Sequence, residues 1–391
     1  MTEWKEYKLG EIAVVKGGKR LPKGEMLVEY ETPYPYIRVT DMTQKWIGKK
    51  DLLYVPEQVQ NSISRYTVSS GDVILSIVGS IGLVSRVGQD IDGANLTENC
   101  VKIIPTSTIL DSDYLYYYLI SANGQEEINK RNVGAVQPKL PIYNINDIEI
   151  PLPSLDEQHR IAAILSSLDD KIDLLHRENA TLEQMAETLF RQWFVEEAKE
   201  EWKEGTVADF AQHCKESINP QKHLNTVFQH YSIPAFDDGK EPTIETGESI
   251  QSNKFVIPTN CILFSKLNPH KDKRVWLMLD DVPENAICST EFQIVKPINS
   301  DYLYFLYGWL TNKENYDEIA SGVGGTSGSH QRIDPKSIFS FTCPNVDSDT
   351  IRNYNNKVEP LFYKIRNNQK QIQTLIKTRD GLLPRLMNEE I

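Results

Sequence analysis

The sequence predicts an α+β protein with two similar mixed α/β domains, joined by two long helices that form an antiparallel coiled coil. Three observations predict this fold. A unit of almost 200 residues is repeated, each copy opens with short β-rich segments, and each copy ends in a heptad pattern of apolar residues. The chain has 391 residues, of which 40% are apolar, so it is long enough to form two cores.

The repeat is seen as segments of the first half that recur in the same order in the second half. The matched pairs are EWKEYKLGEIA (3–13) with EWKEGTVADFA (201–211), GDVILS (71–76) with TNCILFS (259–265), DYLYYYL (113–119) with DYLYFLY (301–307), and NVGAVQPKL (132–140) with VGGTSGSHQRI (323–333). This unit is much longer than the 20–50 residues of a solenoid repeat. We therefore interpret it as a duplicated domain with pseudo-two-fold symmetry, with chance similarity as the alternative.

The first part of each copy, residues 1–153 and 201–345, has the pattern of a mixed α/β domain. Runs such as YPYIRVT, DVILSIV and CVKIIP are rich in β-branched and aromatic residues and are bounded by Gly, Pro and Asp. The run DYLYYYLIS follows an Asp that can cap a helix.

The second part of each copy, residues 154–200 and 346–391, has apolar residues at spacings of three and four. The predicted seam of the coiled coil consists of Leu165, Leu168, Ile172, Leu175, Asn179, Leu182, Leu189, Val358, Leu361, Ile365, Ile372, Leu375, Leu382 and Leu386. Adding 193 to the residue numbers of the first helix aligns its seam with that of the second helix. In this alignment Asn179 and Asn368 lie at different heights along the seam, where we expect them to fix the register of the coiled coil. The alternative is two amphipathic helices that each pack on their own domain.

The charge of the chain argues against extensive nucleic-acid binding, because the formal net charge is −13. Acidic residues are concentrated in segment 154–200, which holds eleven acidic and five basic residues. Small clusters of basic residues remain in the two domains. If the protein contacts DNA, it does so locally, and a partner supplies much of the phosphate neutralisation.

The opening MTEWKEYKLG lacks a secretory leader, and no apolar run approaches the length of a membrane span. The five cysteines are scattered and never form a CxxC pair, which argues against a disulfide framework. We expect a cytoplasmic protein without membrane contact.

Catalytic and metal-binding motifs are missing, so we predict no catalytic residue and no metal ligand in this chain. The sequence contains no GxxxxGK[ST] loop, HExxH or GxSxG. Asp281 and Glu291 faintly resemble the carboxylate pair of a metal-dependent nuclease, and this remains one alternative.

Polar and basic residues lie beside Gly and Ser in corresponding loops of both copies. Such loops allow close approach of a phosphate, and Lys, Arg and Gln side chains can hydrogen-bond to base edges. The candidate DNA-binding residues are Lys16, Lys19, Arg20, Arg38, Ser76, Ser80, Gln137, Lys139, Ser265, Lys266, Lys271, Lys273, Arg274, Thr326, Ser327, His330, Gln331 and Arg332. The alternative is that these are ordinary solvated loops.

The segment PLPSLDEQHRIAAILSSLDDKID (151–173) resembles the junction between recognition domain and helix in specificity subunits of type I restriction–modification systems. GDVILSIVGSIG and NVGAVQPKLPIYNINDIEIPLP are similar to the recognition-domain pattern of that family, and the resemblance covers the whole chain. The second copy departs from it, because PNVDSDTIRNYNNKVEPLF lacks the Glu-Gln pair and SKLNPHKDKR replaces SIVGSIG.

The resemblance implies a non-catalytic subunit with two target-recognition domains, each of which reads one half of a bipartite, asymmetric target in double-stranded DNA. It implies that the two helices set the half-site spacing and dock two modification (methyltransferase) subunits, which bind S-adenosylmethionine. Restriction subunits would add ATP- and magnesium-dependent cleavage, and this chain would hold no cofactor. The nuclease and a coiled-coil scaffold without DNA specificity remain the alternatives.

Overall fold

The computed structural model describes residues 4–43, 45–49, 52–134, 138–269, 273–321 and 332–388. The chain divides into two compact units. The first unit contains Met1–His176 with Gln369–Ile391, and the second contains Arg177–Asn368. Each unit thus combines one β-rich domain with segments of two long helices.

The first unit begins with a β-rich domain. Its strands are β1 (Lys5–Lys8), β2 (Ala13–Gly17), β3 (Pro35–Ile37), β4 (Trp46–Ile47), β5 (Leu53–Tyr54), β6 (Val73–Ser76), β7 (Val84–Val87), β8 (Asn95–Leu96), β9 (Cys100–Pro105) and β10 (Glu149–Leu152). Its helices are α1 (Leu9–Ile12), α2 (Glu57–Ile63), α3 (Ser112–Ile120), α4 (Ala122–Lys130) and α5 (Ile142–Asn146), followed by the long helix α6 (Leu155–Arg191).

The main sheet of this domain has the strand order β2-β9-β6-β7-β4, in which the β4–β7 pair alone is parallel. A smaller sheet has the order β5-β3-β8, and β1 pairs separately with β10. All four residues of β6 are buried, because alternate side chains enter different cores. Val73 and Leu75 pack with the tyrosines of α3, whereas Ile74 packs with residues of the smaller sheet.

The second unit contains the second β-rich domain. Its strands are β11 (Lys203–Thr206), β12 (Ala211–Cys214), β13 (Ser217–Ile218), β14 (Val227–Tyr231), β15 (Thr243–Thr246), β16 (Lys254–Val256), β17 (Cys261–Ser265), β18 (Val275–Met278), β19 (Ala286–Cys288), β20 (Phe292–Pro297) and β21 (Thr342–Asn345). Its helices are α7 (Ile233–Asp237), α8 (Leu303–Thr311), α9 (Lys313–Ser321) and α10 (Pro335–Ser340), followed by the long helix α11 (Ser348–Met387).

The sheets of the second domain repeat the topology of the first and so confirm the duplication. The order β12-β20-β17-β18 matches β2-β9-β6-β7, and β11–β21 matches β1–β10. The parallel pair β14–β19 corresponds to β3–β8. The second domain differs in its smaller sheet, where the order β13-β16-β19-β14-β15 includes a β14–β15 hairpin.

The two long helices start at side-chain caps. Ser154 accepts a hydrogen bond from the amide of Glu157 at the start of α6, and Asp347 accepts one from the amide of Thr350 at the start of α11. The predicted helical segments begin at residues 154 and 346, within two residues of these starts. A single π-helical turn, Gln192–Glu196, ends the first helix.

The predicted seam is present in the first unit and runs antiparallel. Ile172 and Leu175 of α6 pack against Ile372 of α11, with Leu375 at the edge of the same cluster. Nearer the start of α6, Leu165 joins the core that holds Leu382 and Leu386, from near the end of α11. Residue numbers therefore rise along one helix as they fall along the other, which defines the antiparallel arrangement.

In the second unit the seam continues through two asparagines that face each other. Nδ2 of Asn368 donates to Oδ1 of Asn179 at 2.8 Å, and both side chains are buried. The prediction that the two asparagines lie at different heights was wrong, because antiparallel packing matches position 179 with position 368 and not with its repeat equivalent, Ile372. Val358 and Ile365 are buried in the hydrophobic core of the second unit, and Leu182, Leu189 and Leu361 are partly buried against this core.

Candidate nucleic-acid interface

Several loops of the first unit meet where β2 and β6 end and where β9 begins. Main-chain hydrogen bonds hold them together. The amide of Lys19 donates to the carbonyl of Leu96 at 2.8 Å, and the amide of Ile77 donates to the carbonyl of Asn99 at 2.8 Å. The carbonyl of Ile77 in turn accepts from the amide of Leu140 at 3.0 Å. We call this set of loops, around Lys19, Ser80, Glu98 and Lys139, the loop edge.

The close approach of these loops depends on one glycine. A Cβ atom at Gly18 would lie 2.1 Å from the carbonyl oxygen of Thr97 and 2.3 Å from that of Leu96. Main-chain atoms at such distances cannot move aside as the end of a long side chain could. The glycine in KGGKR therefore allows the basic loop to lie directly on its neighbour.

The second unit builds the same loop edge with other side chains. The amide of Lys266 donates to the carbonyl of Glu291 at 3.0 Å, and its carbonyl accepts from the amide of Ile333 at 3.0 Å. These are the bonds that Ile77 makes in the first unit. The bridge between Leu267 and Arg332 likewise matches the bridge between Val78 and Lys139 in the first unit. The two edges share a main-chain framework and differ in sequence.

Comparison with known proteins shows what this chain is similar to. Residues 1–184 match the family model described as the type I restriction modification DNA specificity domain. The specificity subunit of the type I restriction enzyme MjaIX from Methanocaldococcus jannaschii is 26% identical, over 100% of this chain and 94% of that protein. The chain is therefore similar to type I restriction–modification specificity subunits, in its first 184 residues by the family model and over its whole length by the MjaIX subunit.

Two further comparisons agree with this similarity. The HindI specificity subunit from Haemophilus influenzae is 27% identical over 50% of this chain and 42% of that protein. The crystal structure of an S subunit from M. genitalium covers 98% of this chain and 96% of its own, with a TM-score of 0.60 and 17% identity. That structural likeness establishes the shared fold. Within the residues that the structure describes, no helix is both long and apolar enough to cross a membrane.

The predicted DNA-binding residues of the first domain mostly lie at its loop edge. Lys16, Lys19, Ser80 and Lys139 are exposed there. Arg20 is also exposed, and its guanidinium pairs with Glu98 at 2.7 Å. This arrangement leaves several cations on one surface, one of them held in place by a carboxylate.

Three of the predicted residues are buried, so the structure does not support them as DNA contacts. Ser76 is fully buried and its hydroxyl donates to the carbonyl of Ser80 at 2.5 Å. Ser265 is 1% exposed and accepts a hydrogen bond from the amide of Leu267. Arg274 is 9% exposed and makes two hydrogen bonds, of 2.6 and 2.9 Å, to Asp237. All three stabilise their loops from the inside.

Other predicted residues are accessible but already engaged. Arg38 is paired with Asp41 at 2.7 Å, and Arg332 makes two hydrogen bonds to Glu291. The ammonium group of Lys273 donates to the carbonyl of Thr311, the last residue of α8, where a cation complements the helix dipole.

Lys266 is partly exposed at the second loop edge. Six predicted residues lie outside the described part of the chain: Gln137, Lys271, Thr326, Ser327, His330 and Gln331.

The carboxylates of the nuclease alternative have separate roles. Asp281 pairs with Arg366 at 3.0 Å, whereas Glu291 pairs with Arg332 at 2.9 Å. In the described ranges, no group of three or more His, Cys, Asp or Glu side chains is arranged to hold a metal ion. Each carboxylate is thus explained by its arginine, and the comparisons with known proteins give the nuclease interpretation no support.

A buried polar network in the first unit was not predicted from the sequence. The ammonium group of Lys45 donates to the hydroxyls of Tyr117 and Ser166, at 2.9 and 3.0 Å. Asp169 of α6 accepts from Tyr117 at 2.6 Å and from Arg379 of α11 at 2.9 Å. Burial lowers the pKa of Lys45 and raises that of Tyr117. The network connects the recognition domain to both long helices, and no local sequence pattern marks it.

Gln158, the glutamine of the Glu-Gln pair in segment 151–173, has a structural role. Gln158 is fully buried, and its Oε1 accepts a hydrogen bond from the amide of Asp111 at 2.9 Å. Its Nε2 donates to the carbonyls of Ile109 and Pro153, at 2.8 and 3.0 Å. The side chain therefore fastens the start of α6 to the segment that precedes α3. Ile351, at the equivalent position of α11, is buried and apolar.

Proposed function

We propose that this chain is a DNA specificity subunit that reads a bipartite, asymmetric target in double-stranded DNA, with each recognition domain reading one half through its loop edge. The observation that carries the proposal is that one main-chain framework appears twice with different side chains. Ile77 and Lys139 in the first unit correspond to Lys266 and Arg332 in the second. Two similar surfaces of different chemistry are what the recognition of two different half-sites requires.

The chemistry of the first loop edge supports contact with DNA. Lys16, Lys19 and Lys139 are exposed cations on one surface, and ammonium groups of this kind neutralise phosphates and bind guanine acceptors. At the second edge, Glu291 holds the guanidinium of Arg332 by two hydrogen bonds. A guanidinium that is oriented in this way loses little conformational entropy when it binds a base or a phosphate.

The long helices serve as a spacer and as a docking surface in this proposal. A helix of the 37 residues of α6 extends about 55 Å. Three of its large apolar side chains, Ile164, Leu174 and Met185, are 45–49% exposed. Apolar surface of this kind favours burial against a partner. We propose that two modification subunits dock on the helices.

The catalytic steps would then belong to other subunits. In our proposal, the modification subunits carry S-adenosylmethionine and methylate adenine, and restriction subunits use ATP and magnesium for cleavage in the cytoplasm. The acidic character of α6 is consistent with a division of labour in which partner subunits supply much of the positive surface that binds DNA.

Methylation mapping tests the proposal in cells that produce the chain together with its modification subunit. We expect methylated adenines in one asymmetric sequence with two defined halves and an undefined spacer. Lys139→Ala should relax the sequence of one half, and Lys266→Ala should relax that of the other half. Methylation without sequence preference, or two variants that alter the same half, would contradict the proposal.

Binding of the purified assembly to its mapped target gives a second test. Lys19→Ala with Lys139→Ala should lower the affinity and reduce the salt slope by up to about two, because up to two phosphate contacts are lost. The matched control replaces Lys5 and Lys203, which are exposed on β1 and β11 and lie outside both main sheets. Equal effects of the two pairs would indicate a general charge effect. No sequence-dependent binding at all would favour the scaffold alternative.

A further inference from the structure

Among the described residues, two polar contacts in the seam join α6 to α11, and in each contact the two residues are not repeat equivalents of one another. In the second unit, Nδ2 of Asn368 donates to Asn179 at 2.8 Å and to Glu178 at 2.9 Å. In the first unit, Arg379 donates to Asp169, which is 8% exposed, at 2.9 Å. Each contact pairs a residue of α6 with a residue of α11.

Because α6 and α11 are repeats of one helix, the observed α6–α11 pairing can be compared with a pairing of two α6 helices. An offset of 193 residues relates the two helices, and burial follows it: Ile161, Leu165 and Ile172 correspond to Tyr354, Val358 and Ile365, and all six are buried. If a second copy of α6 took the place of α11, Leu175 would occupy the position of Asn368. Ala186 would likewise occupy the position of Arg379.

These replacements would remove both polar contacts. Asn179 would face a leucine, and its buried amide would lose its hydrogen-bonding partner. Asp169 would face an alanine and would become a buried carboxylate without its arginine. Because the pairing is antiparallel, each defect would occur twice in a pair of α6 helices. A pair of α11 helices would similarly place Asn368 against Ile372, and Arg379 against Phe362.

We propose that the seam selects a helix of the opposite kind, so that the N-terminal half of the chain pairs with a C-terminal half and rejects a second N-terminal half. The partner surface that α6 fits presents an amide at the height of Asn179 and a guanidinium at the height of Asp169. This selection keeps two different recognition domains in one assembly. It rests on the helix contacts and does not depend on DNA binding.

Cleavage of the folded chain tests the selection. A protease site inserted within residues 197–201, which are exposed and follow the first helix, separates the halves after the whole chain has folded. Two cleaved preparations, whose N-terminal halves carry different tags, are mixed in urea and returned to native buffer. Capture by one tag should recover at least tenfold more C-terminal half than N-terminal half with the other tag. Equal recovery would overturn the proposal.

A matched variant shows whether the polar residues cause the selection. Asn179→Leu with Asp169→Ala gives α6 a seam that can pair with itself, so recovery of the second N-terminal half should rise at least tenfold. Gln184→Leu with Asp170→Ala is the control, because both positions are exposed on the same helix, and recovery should stay at the original level. A rise in the control alone, or no rise in the seam variant, would refute the role assigned to these residues.

The intact chain decides the question if the halves do not reassemble. Asn179→Leu and Asn368→Ile should each lower the melting temperature, and the double variant should recover part of the loss because the two positions then pair as apolar residues. Losses that simply add would show that the asparagines do not act as a pair, and the proposal would fail.

Discussion

Replacement of Gln158 by leucine should weaken the junction between the first recognition domain and α6. The change keeps the size of the side chain but removes its hydrogen bonds to one backbone amide and two backbone carbonyls. A neutral backbone group left without its partner costs about 1–2 kcal/mol, in the lower part of the usual range, so the three groups together cost about 3–6 kcal/mol. The better burial of leucine offsets about 1–2 kcal/mol of this. The net loss in the free energy of unfolding of the first unit is therefore about 2–4 kcal/mol.

Hydrogen exchange followed by mass spectrometry measures this loss where it occurs. In the Gln158→Leu variant, the amide of Asp111 loses its acceptor, so peptides around the start of α3 should exchange about 30-fold to 1000-fold faster if exchange occurs through unfolding of the first unit. Gln184→Leu is the control, because that glutamine is exposed on the same helix and its replacement should change stability by less than about 0.5 kcal/mol. Unchanged exchange around Asp111 in the Gln158→Leu variant would refute the argument.

The buried network and the buried tyrosines give two further predictions. Asp169→Asn should destabilise the first unit by about 2 kcal/mol in urea unfolding, because Arg379 loses one of its two carboxylate partners and keeps Asp380, while the exposed Asp170→Asn should have little effect. Burial raises the pKa of Tyr116 and Tyr117 above the usual 10, so their neutral forms stabilise the fold fully below pH 10 and this contribution is lost as the pH rises further. The phenolate absorbance of Tyr116 and Tyr117, measured as the difference from a Tyr116→Phe/Tyr117→Phe variant, should appear only above pH 10 and together with the loss of circular dichroism. Its appearance at pH 10 in a protein that keeps its structure would contradict the burial argument.

The duplication and the seam could be predicted because both depend on periodicity in the sequence. Spacings of three and four identified Leu165, Ile172 and Leu175, and the structure buries all three. The facing asparagines could not be predicted, because the heptad pattern fixes which face of each helix is buried but not the register of the partner. That register is defined by contacts between the two helices, such as the packing of Ile172 and Leu175 against Ile372.

The candidate interface was predicted in outline and needed the structure for its details. The Gly- and Ser-rich segments identified the loops that meet at the loop edge, because such residues permit close approach of the backbone. Residue type could not show which polar side chains face inward. Arg274 has the composition of a phosphate contact, but its carboxylate partner, Asp237, lies 37 residues earlier in the chain. Lys45 was missed for the same reason, since its partners lie on α3 and α6.

The main-chain bonds of the two loop edges have a consequence for how this protein can change over evolutionary time. The bonds made by Ile77 and Lys266 use amide and carbonyl groups, which every residue except proline provides. Substitutions at these positions therefore alter the surface offered to DNA while the bonds that close the loops persist. Recombination that exchanges a whole domain and substitution within a loop should both yield new sequence preferences on an unchanged scaffold. Such a lineage can diversify its targets faster than a protein whose recognition loops are fastened by their own side chains.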